Sequence, residues 1–232
     1  ETERLADRLG QWRETAARVD SIVHAPDALE RATDVQVGLL VFLGSILRQR
    51  LGHNDDAITI YRAALQIAPD SLEAIDALIA ILRQKGDWHA LADVLRQRGR
   101  IVQELPDKRA TFAEVAELAE RAGDLPGAID AWRQITDEDD ADRDALDQLA
   151  RLYRQTGDRG ALVDTLTRAA RLASSPADEK PLRMGIAQLD AETPRCVAAW
   201  QAVVYLDPDD TSARTKLEAA HWRNSDWIAV SA

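Results

Sequence analysis

One frame, roughly 34 residues long, recurs along this chain of 232 residues and restricts the fold more than any other feature of the sequence. In residues 40–69 it reads Leu40, Leu43, Gly44 and Leu47, a turn at Gly52, then Ala57, Tyr61, Ala64 and Leu65, closed by Pro69. Apolar residues three and four apart draw a stripe down one side of a helix. Two such stripes, parted by a glycine and stopped by a proline, describe a pair of antiparallel helices. Gly44, Ala57 and Ala64 are small where the two helices approach, and Leu40, Leu43, Leu47 and Tyr61 are large where neighbouring hairpins leave space. A lone hairpin cannot hide both apolar sides, so it must stack on copies of itself.

The copies are present. A second unit runs Ile75, Leu78, Leu82, Gly86-Asp87-Trp88, Leu91 and Leu95, and a third Phe112, Val115, Ala116, Ala119, Gly123-Asp124, Ala128 and Trp132. A fourth runs Leu146, Leu149, Ala150, Tyr153, Gly157-Asp158, Leu162, Leu166 and Ala169, and a fifth Leu182, Gly185, Ile186, Leu189, Cys196, Trp200 and Pro208. Half-units flank them: Leu5, Gly10-Gln11-Trp12 and Val19 on one side, Leu217 and Asp226-Trp227 on the other. Residues 40–69 resemble the tetratricopeptide-repeat (TPR) family almost slot for slot, with one extra residue near Leu51.

That resemblance implies an all-α fold, an α-solenoid wound as a right-handed superhelix of about six TPR-like hairpins. It divides the chain into a half-repeat at 1–33, repeats at about 34–70, 71–106, 107–140, 141–176 and 177–209, and a half-repeat at 210–232, all in a single array fragment. Within the frame the second helix alternates. Ala57/Tyr61, Ala128/Trp132 and Cys196/Trp200 pair a small residue with an aromatic one, whereas Leu91/Leu95 and Leu162/Leu166 are paired leucines of similar summed volume. Trp12, Trp88 and Trp227 recur in the interhelical turn about every second or fourth repeat, with Arg159 breaking the series. The building block is therefore two repeats, as expected of a long bacterial-type array. A cation set of 25 Arg and 4 Lys fits a GC-rich bacterial genome.

Net charge of −11 and a pI near 4.9 set the chain against a phosphate backbone, so no nucleic acid partner is expected. The apolar run at 37–47 is too short to cross a bilayer and is flanked by Arg48 and Arg50, which reads as a buried core helix rather than membrane insertion. The chain opens on Glu1-Thr2-Glu3-Arg4-Leu5, as an excised piece without a leader would. The single Cys196 fits a reducing compartment, and a cytoplasmic location is expected.

Each candidate for chemistry has a structural reading that is stronger. Cys196 occupies the small slot filled by Ala57 and Ala128 elsewhere. His24, His53, His89 and His221 stand in no metal-ligand pattern. The run Asp137-Glu138-Asp139-Asp140-Ala141-Asp142 fails as a calcium loop, with Ala141 at the fifth position and Asp142 where glycine is required, and reads as a solvated turn favouring the next helix start. No phosphate-binding loop or nucleophile elbow appears, so neither a cofactor nor an enzyme activity is expected.

The family resemblance implies that first helices of successive repeats line a concave groove. By that geometry the candidate partner-binding residues are Arg48, Gln49, Arg83, Gln84, Arg121, Arg151, Arg154, Gln155, Arg183 and Arg223. Val41 and Ser45, Asp76 and Ala80, and Ala113 and Glu117 stand where some family members hold a chaperone tail with Lys and Asn, so that clamp is absent. Two readings of the arginines stay open: pairing with Glu120, Asp144 or Asp147, or capture of an acidic partner segment by bidentate contacts. The expected function is a non-catalytic protein–protein interaction scaffold. The alternatives are a self-assembling module of undetermined oligomeric state, or a regulatory or targeting appendage of an enzyme.

Overall fold

The computed structural model describes residues 11–25 and 32–224. Leu5, Gly10, Asp226 and Trp227 of the half-units lie outside the described residues. Among the described residues the chain is helical throughout, with no strand, in two compact units that divide between Leu118 and Ala119.

The first unit holds α1 (Trp12–Val23), α2 (Thr33–Gln49), α3 (Asn54–Ile67), α4 (Leu72–Lys85), α5 (Trp88–Ile101) and most of α6 (Leu105–Arg121). Within it α1 packs on α2, α2 on α3, α3 on α4 and α4 on α5. The second unit holds the end of α6, then α7 (Leu125–Glu138), α8 (Arg143–Thr156), α9 (Arg159–Arg171), α10 (Pro176–Leu189), α11 (Pro194–Leu206) and α12 (Thr211–Arg223). There each helix from α7 to α12 packs on the next. The run at 37–47 lies inside α2, which buries Leu40, Val41, Leu43, Gly44 and Ile46.

The turns inside hairpins follow from two residues. Gly52, Gly86, Gly123 and Gly157 all take positive φ, between 71° and 77°, a backbone region that costs any residue with a Cβ. Asp87, Asp124 and Asp158 follow three of these glycines, and each carboxylate accepts the backbone N–H three residues on, at 3.2, 3.0 and 3.0 Å. Gly-Asp thus ends one helix and caps the next, a cap being worth about 1 kcal/mol. Gly52 is followed instead by His53, whose side chain caps nothing. Among the carboxylates of the acidic run, Asp142 caps α8 by accepting from Ala145 N at 2.9 Å.

Packing between the helices depends on the small slots. A Cβ built on Gly44 would meet the Tyr61 ring at 2.8 Å, and one on Gly99 would meet the Phe112 ring at 2.8 Å. Every member of the alternating second-helix pairs is buried, whether small-plus-aromatic or leucine-plus-leucine. Trp12 and Trp88 share a place in the frame but not an environment. Trp12 is 8% exposed, packed with Leu43 and Ile46 under the Arg50 guanidinium at 4.7 Å, while Trp88 is 50% exposed beside Gly86.

Candidate interaction face

The apolar slots of each first helix are spent on neighbouring helices, so the residues between those slots form its outer face. In the first unit α4 presents Asp76, Ala80 and Arg83 on this face, and α6 presents Asp107, Ala110 and Glu114. With Leu95 and Arg98 of α5 they bound a cleft of about 430 Å³. Its charges meet one another. Arg83 Nη2 donates to Glu114 Oε1 at 2.6 Å, and Arg98 donates through Nε to Asp76 Oδ1 at 2.8 Å and through Nη1 to Thr111 Oγ1 at 2.7 Å. Thr111 is buried and donates in turn to the Asp107 carbonyl at 2.7 Å. Arg98 escapes a rule that takes lining residues from first helices alone, because it reaches the cleft from the last turn of α5.

In the second unit Arg151 donates through Nη2 to both carboxylate oxygens of Glu120 at 2.7 Å, and through Nε to Gln148 at 3.0 Å. Arg183 donates to Glu179 one helical turn earlier at 2.8 Å. Lys180 stands 2.6 Å from Asp207 and 2.9 Å from Asp210. Hydrogen bonds to those two carboxylates raise the Lys180 ammonium above its ordinary pKa, and the same contacts lower Asp207 and Asp210 below the usual carboxylate range.

The ten candidate residues therefore divide. Arg83, Arg151 and Arg183 are each tied to a glutamate of this chain. Arg48 is half-buried near Tyr61, where it partly offsets the upward push that burial gives the tyrosine hydroxyl. Arg48, Arg154 and Arg223 pair with no carboxylate among the described residues. Gln49, Gln84, Arg121, Arg154, Gln155 and Arg223 are exposed within the last turn of their first helices. Arg154 and Arg151 share α8, but Arg151 turns to Glu120 and Arg183 to Glu179 on its own helix, so these two guanidiniums are held by different carboxylates. His24 and His53 are exposed beside Asp20 and Asp56, His89 is exposed, and His221 is buried. Among the described residues no three His, Cys, Asp or Glu side chains gather as metal ligands, and no helix is long and apolar enough to cross a membrane.

The sequence profile described as the tetratricopeptide repeat matches residues 39–75 and 145–180, one stretch in each unit. The chain carries tetratricopeptide repeats. The chain is 32% identical over 178 residues to the cellulose synthase 2 operon protein C of Komagataeibacter xylinus, a match covering 74% of this chain and 13% of that protein. It is 29% identical over 148 residues to the cellulose synthase operon protein C of Pseudomonas fluorescens, covering 60% of this chain and 12% of that one. The TPR segment thus spans about an eighth of the length of the curated relatives it matches. Among solved structures, the C-terminal part of a TPR repeat-containing protein from Cytophaga hutchinsonii is 15% identical, with a TM-score of 0.41, over 91% of this chain and 83% of that one. TPR folds are typically non-catalytic and serve as protein-interaction scaffolds.

Proposed function

We propose that this TPR segment is a non-catalytic scaffold whose first-helix face receives a peptide or domain of a partner protein. The observation that carries the reading is the cleft where α4 and α6, first helices of consecutive repeats, leave Ala80 and Ala110 accessible between their charged neighbours. Affinity on such a face is the surplus of many modest contacts over the cost of ordering the partner. Arg48 in the first unit, and separately Arg154 and Arg223 in the second, pair with no carboxylate of the described residues, and each would take a partner carboxylate by a bidentate contact. The two relatives belong by name to cellulose synthase operons, which supports the proposal that partners include other products of such an operon.

The test is co-expression of the segment with the other proteins of a cellulose synthase operon from its source, followed by affinity capture. Wild type should retain a specific protein that is lost on combining Ala80→Trp, Arg48→Glu and Arg154→Glu. Retention of every captured protein by this variant, with helix content unchanged, would remove the first-helix face as the site.

A further inference from the structure

We infer that the groove between α1 and α3, floored by α2, receives a basic side chain of a partner protein, its aliphatic stem along the groove and its charged head at an acidic rim. The groove shares no residue with the α4–α6 cleft, so the inference does not rest on the face proposed above.

Ala17 and Asp20 of α1, Leu47 of α2, and Asp56, Thr59 and Ile60 of α3 line the groove. What it offers is mostly apolar surface, since Ala17 is exposed and Leu47 and Ile60 are only half-buried. Thr59 is exposed too, but its hydroxyl already donates to the Asp55 carbonyl one turn earlier, at 3.1 Å. Asp20 and Asp56 carry the charge of the lining, and no Lys, Arg or His among the described residues joins them there. Asp20 Oδ1 stands 3.2 Å from His24 Nδ1, and Asp56 Oδ2 stands 3.4 Å from His53 Nδ1. A neutral imidazole of this kind leaves its carboxylate charged. Asp55, next along the chain, is spent instead on Lys85 of α4.

This lining selects among occupants. An anion would meet two carboxylates and no cation. A wholly apolar side chain would take water from Asp20 and Asp56 without giving them a partner. A small inorganic cation would gain nothing from Leu47 and Ile60. A lysine or arginine stem removes that apolar surface from water while its head stays at the wet rim, where the two aspartates are 54% and 68% exposed. The volume of about 380 Å³ is ample for one such side chain. The net charge of −11 favours the approach of a basic partner.

Binding is read from the methyl NMR shifts of Leu47 and Ile60, in mildly alkaline buffer that keeps imidazoles neutral. Capped Ala-Lys-Ala, Ala-norleucine-Ala and Ala-Glu-Ala are titrated at equal concentrations. The lysyl peptide should move these methyls several-fold more than the norleucyl peptide, which has the stem without the charge, and the glutamyl peptide should move them least. Asp20→Asn combined with Asp56→Asn should reduce the lysyl response to the norleucyl level. Ala17→Trp, which fills the groove from an exposed position, should abolish it with the circular dichroism unchanged. The inference is overturned if the norleucyl or glutamyl peptide matches the lysyl one, if the asparagine variant keeps the lysyl preference, if the folded tryptophan variant responds like wild type, or if no peptide moves the methyls.

Discussion

Arg151 on α8 holds both carboxylate oxygens of Glu120, near the end of α6, through a single Nη2 at 2.7 Å. The two residues are 31 positions apart, and the same separation joins Arg83 to Glu114 and Arg195 to Asp164. A side chain just under one repeat further along meets its counterpart on the corresponding helix of the neighbouring hairpin. Opposite charges at this spacing tie repeat to repeat and withdraw arginines from any partner.

The tie itself is weak. Arg151 and Glu120 are 47% and 26% exposed, and pairs of this kind contribute about 0.2–1 kcal/mol. Arg151→Ala should lower the urea midpoint of the transition only slightly, and a cycle with Glu120→Gln should return a coupling of about 0.5 kcal/mol that shrinks in high salt. A coupling of about 3 kcal/mol would mean that the pair is far drier than its exposure indicates.

Gly44→Ala tests the close approach of α2 and α3. Helix propensity alone favours alanine by about 1 kcal/mol. The new methyl would lie 2.8 Å from the Tyr61 ring, which is buried and has no room to withdraw, and overpacking of this kind costs about 1–3 kcal/mol. Net destabilisation is expected by thermal melting, and Tyr61→Leu should relieve much of it. A Gly44→Ala protein more stable than wild type would contradict the packing described.

His53 offers the opposite experiment. It occupies the position held by Asp87, Asp124 and Asp158 in sister turns, yet caps nothing. His53→Asp should place a carboxylate at the α3 N-terminus and raise stability by about 0.5–1 kcal/mol, reduced somewhat by Asp55 and Asp56 in the same first turn. Asp158→Ala should lose a similar amount. Both are read as shifts in the denaturation midpoint.

The pH dependence of the α10–α11 region follows from Lys180. Its folded pKa is raised, so its contribution is complete below the unfolded value of about 10.4 and fades as pH climbs through the higher folded one. Asp207 and Asp210 are lowered, so theirs is complete above about 3.9 and fades as pH drops through the folded values. Wild type and Lys180→Met should therefore differ in melting temperature between those limits and converge outside them. A difference that persists unchanged at pH 2 would assign the effect to packing of the lysine stem instead.

Much of this architecture was legible because it is local or periodic. Gly86-Asp87, Gly123-Asp124 and Gly157-Asp158 announce their turns in two residues each, and the slots of Tyr61, Trp132 and Trp200 repeat in register. The charges were not legible in the same way. Which arginine is spoken for depends on a residue 31 positions off, a spacing that the repeat length conceals unless opposite charges are sought at it. The burial of Trp12 against the exposure of Trp88 depends on what a neighbouring helix offers, not on the slot itself. Arg98 was missed because its side chain crosses from a second helix to the face of the first.

Cys196 gives the sharpest chemical readout of the small slot. At 1% exposure it fills the place of Ala57 and Ala128, and burial pushes its thiol above the ordinary value, with Arg223 pulling weakly the other way. The thiolate is the reactive species, so both access and ionisation oppose modification. A maleimide or disulfide reagent at neutral pH should react orders of magnitude more slowly with the folded segment than with the same chain in urea, and the folded rate should fall further as stabilising substitutions elsewhere in the second unit suppress local opening. Labelling at the rate of an unfolded thiol, in protein whose helix content is intact, would mean that α11 does not hold Cys196 against its neighbours, and the alternating slot pattern would lose its physical basis.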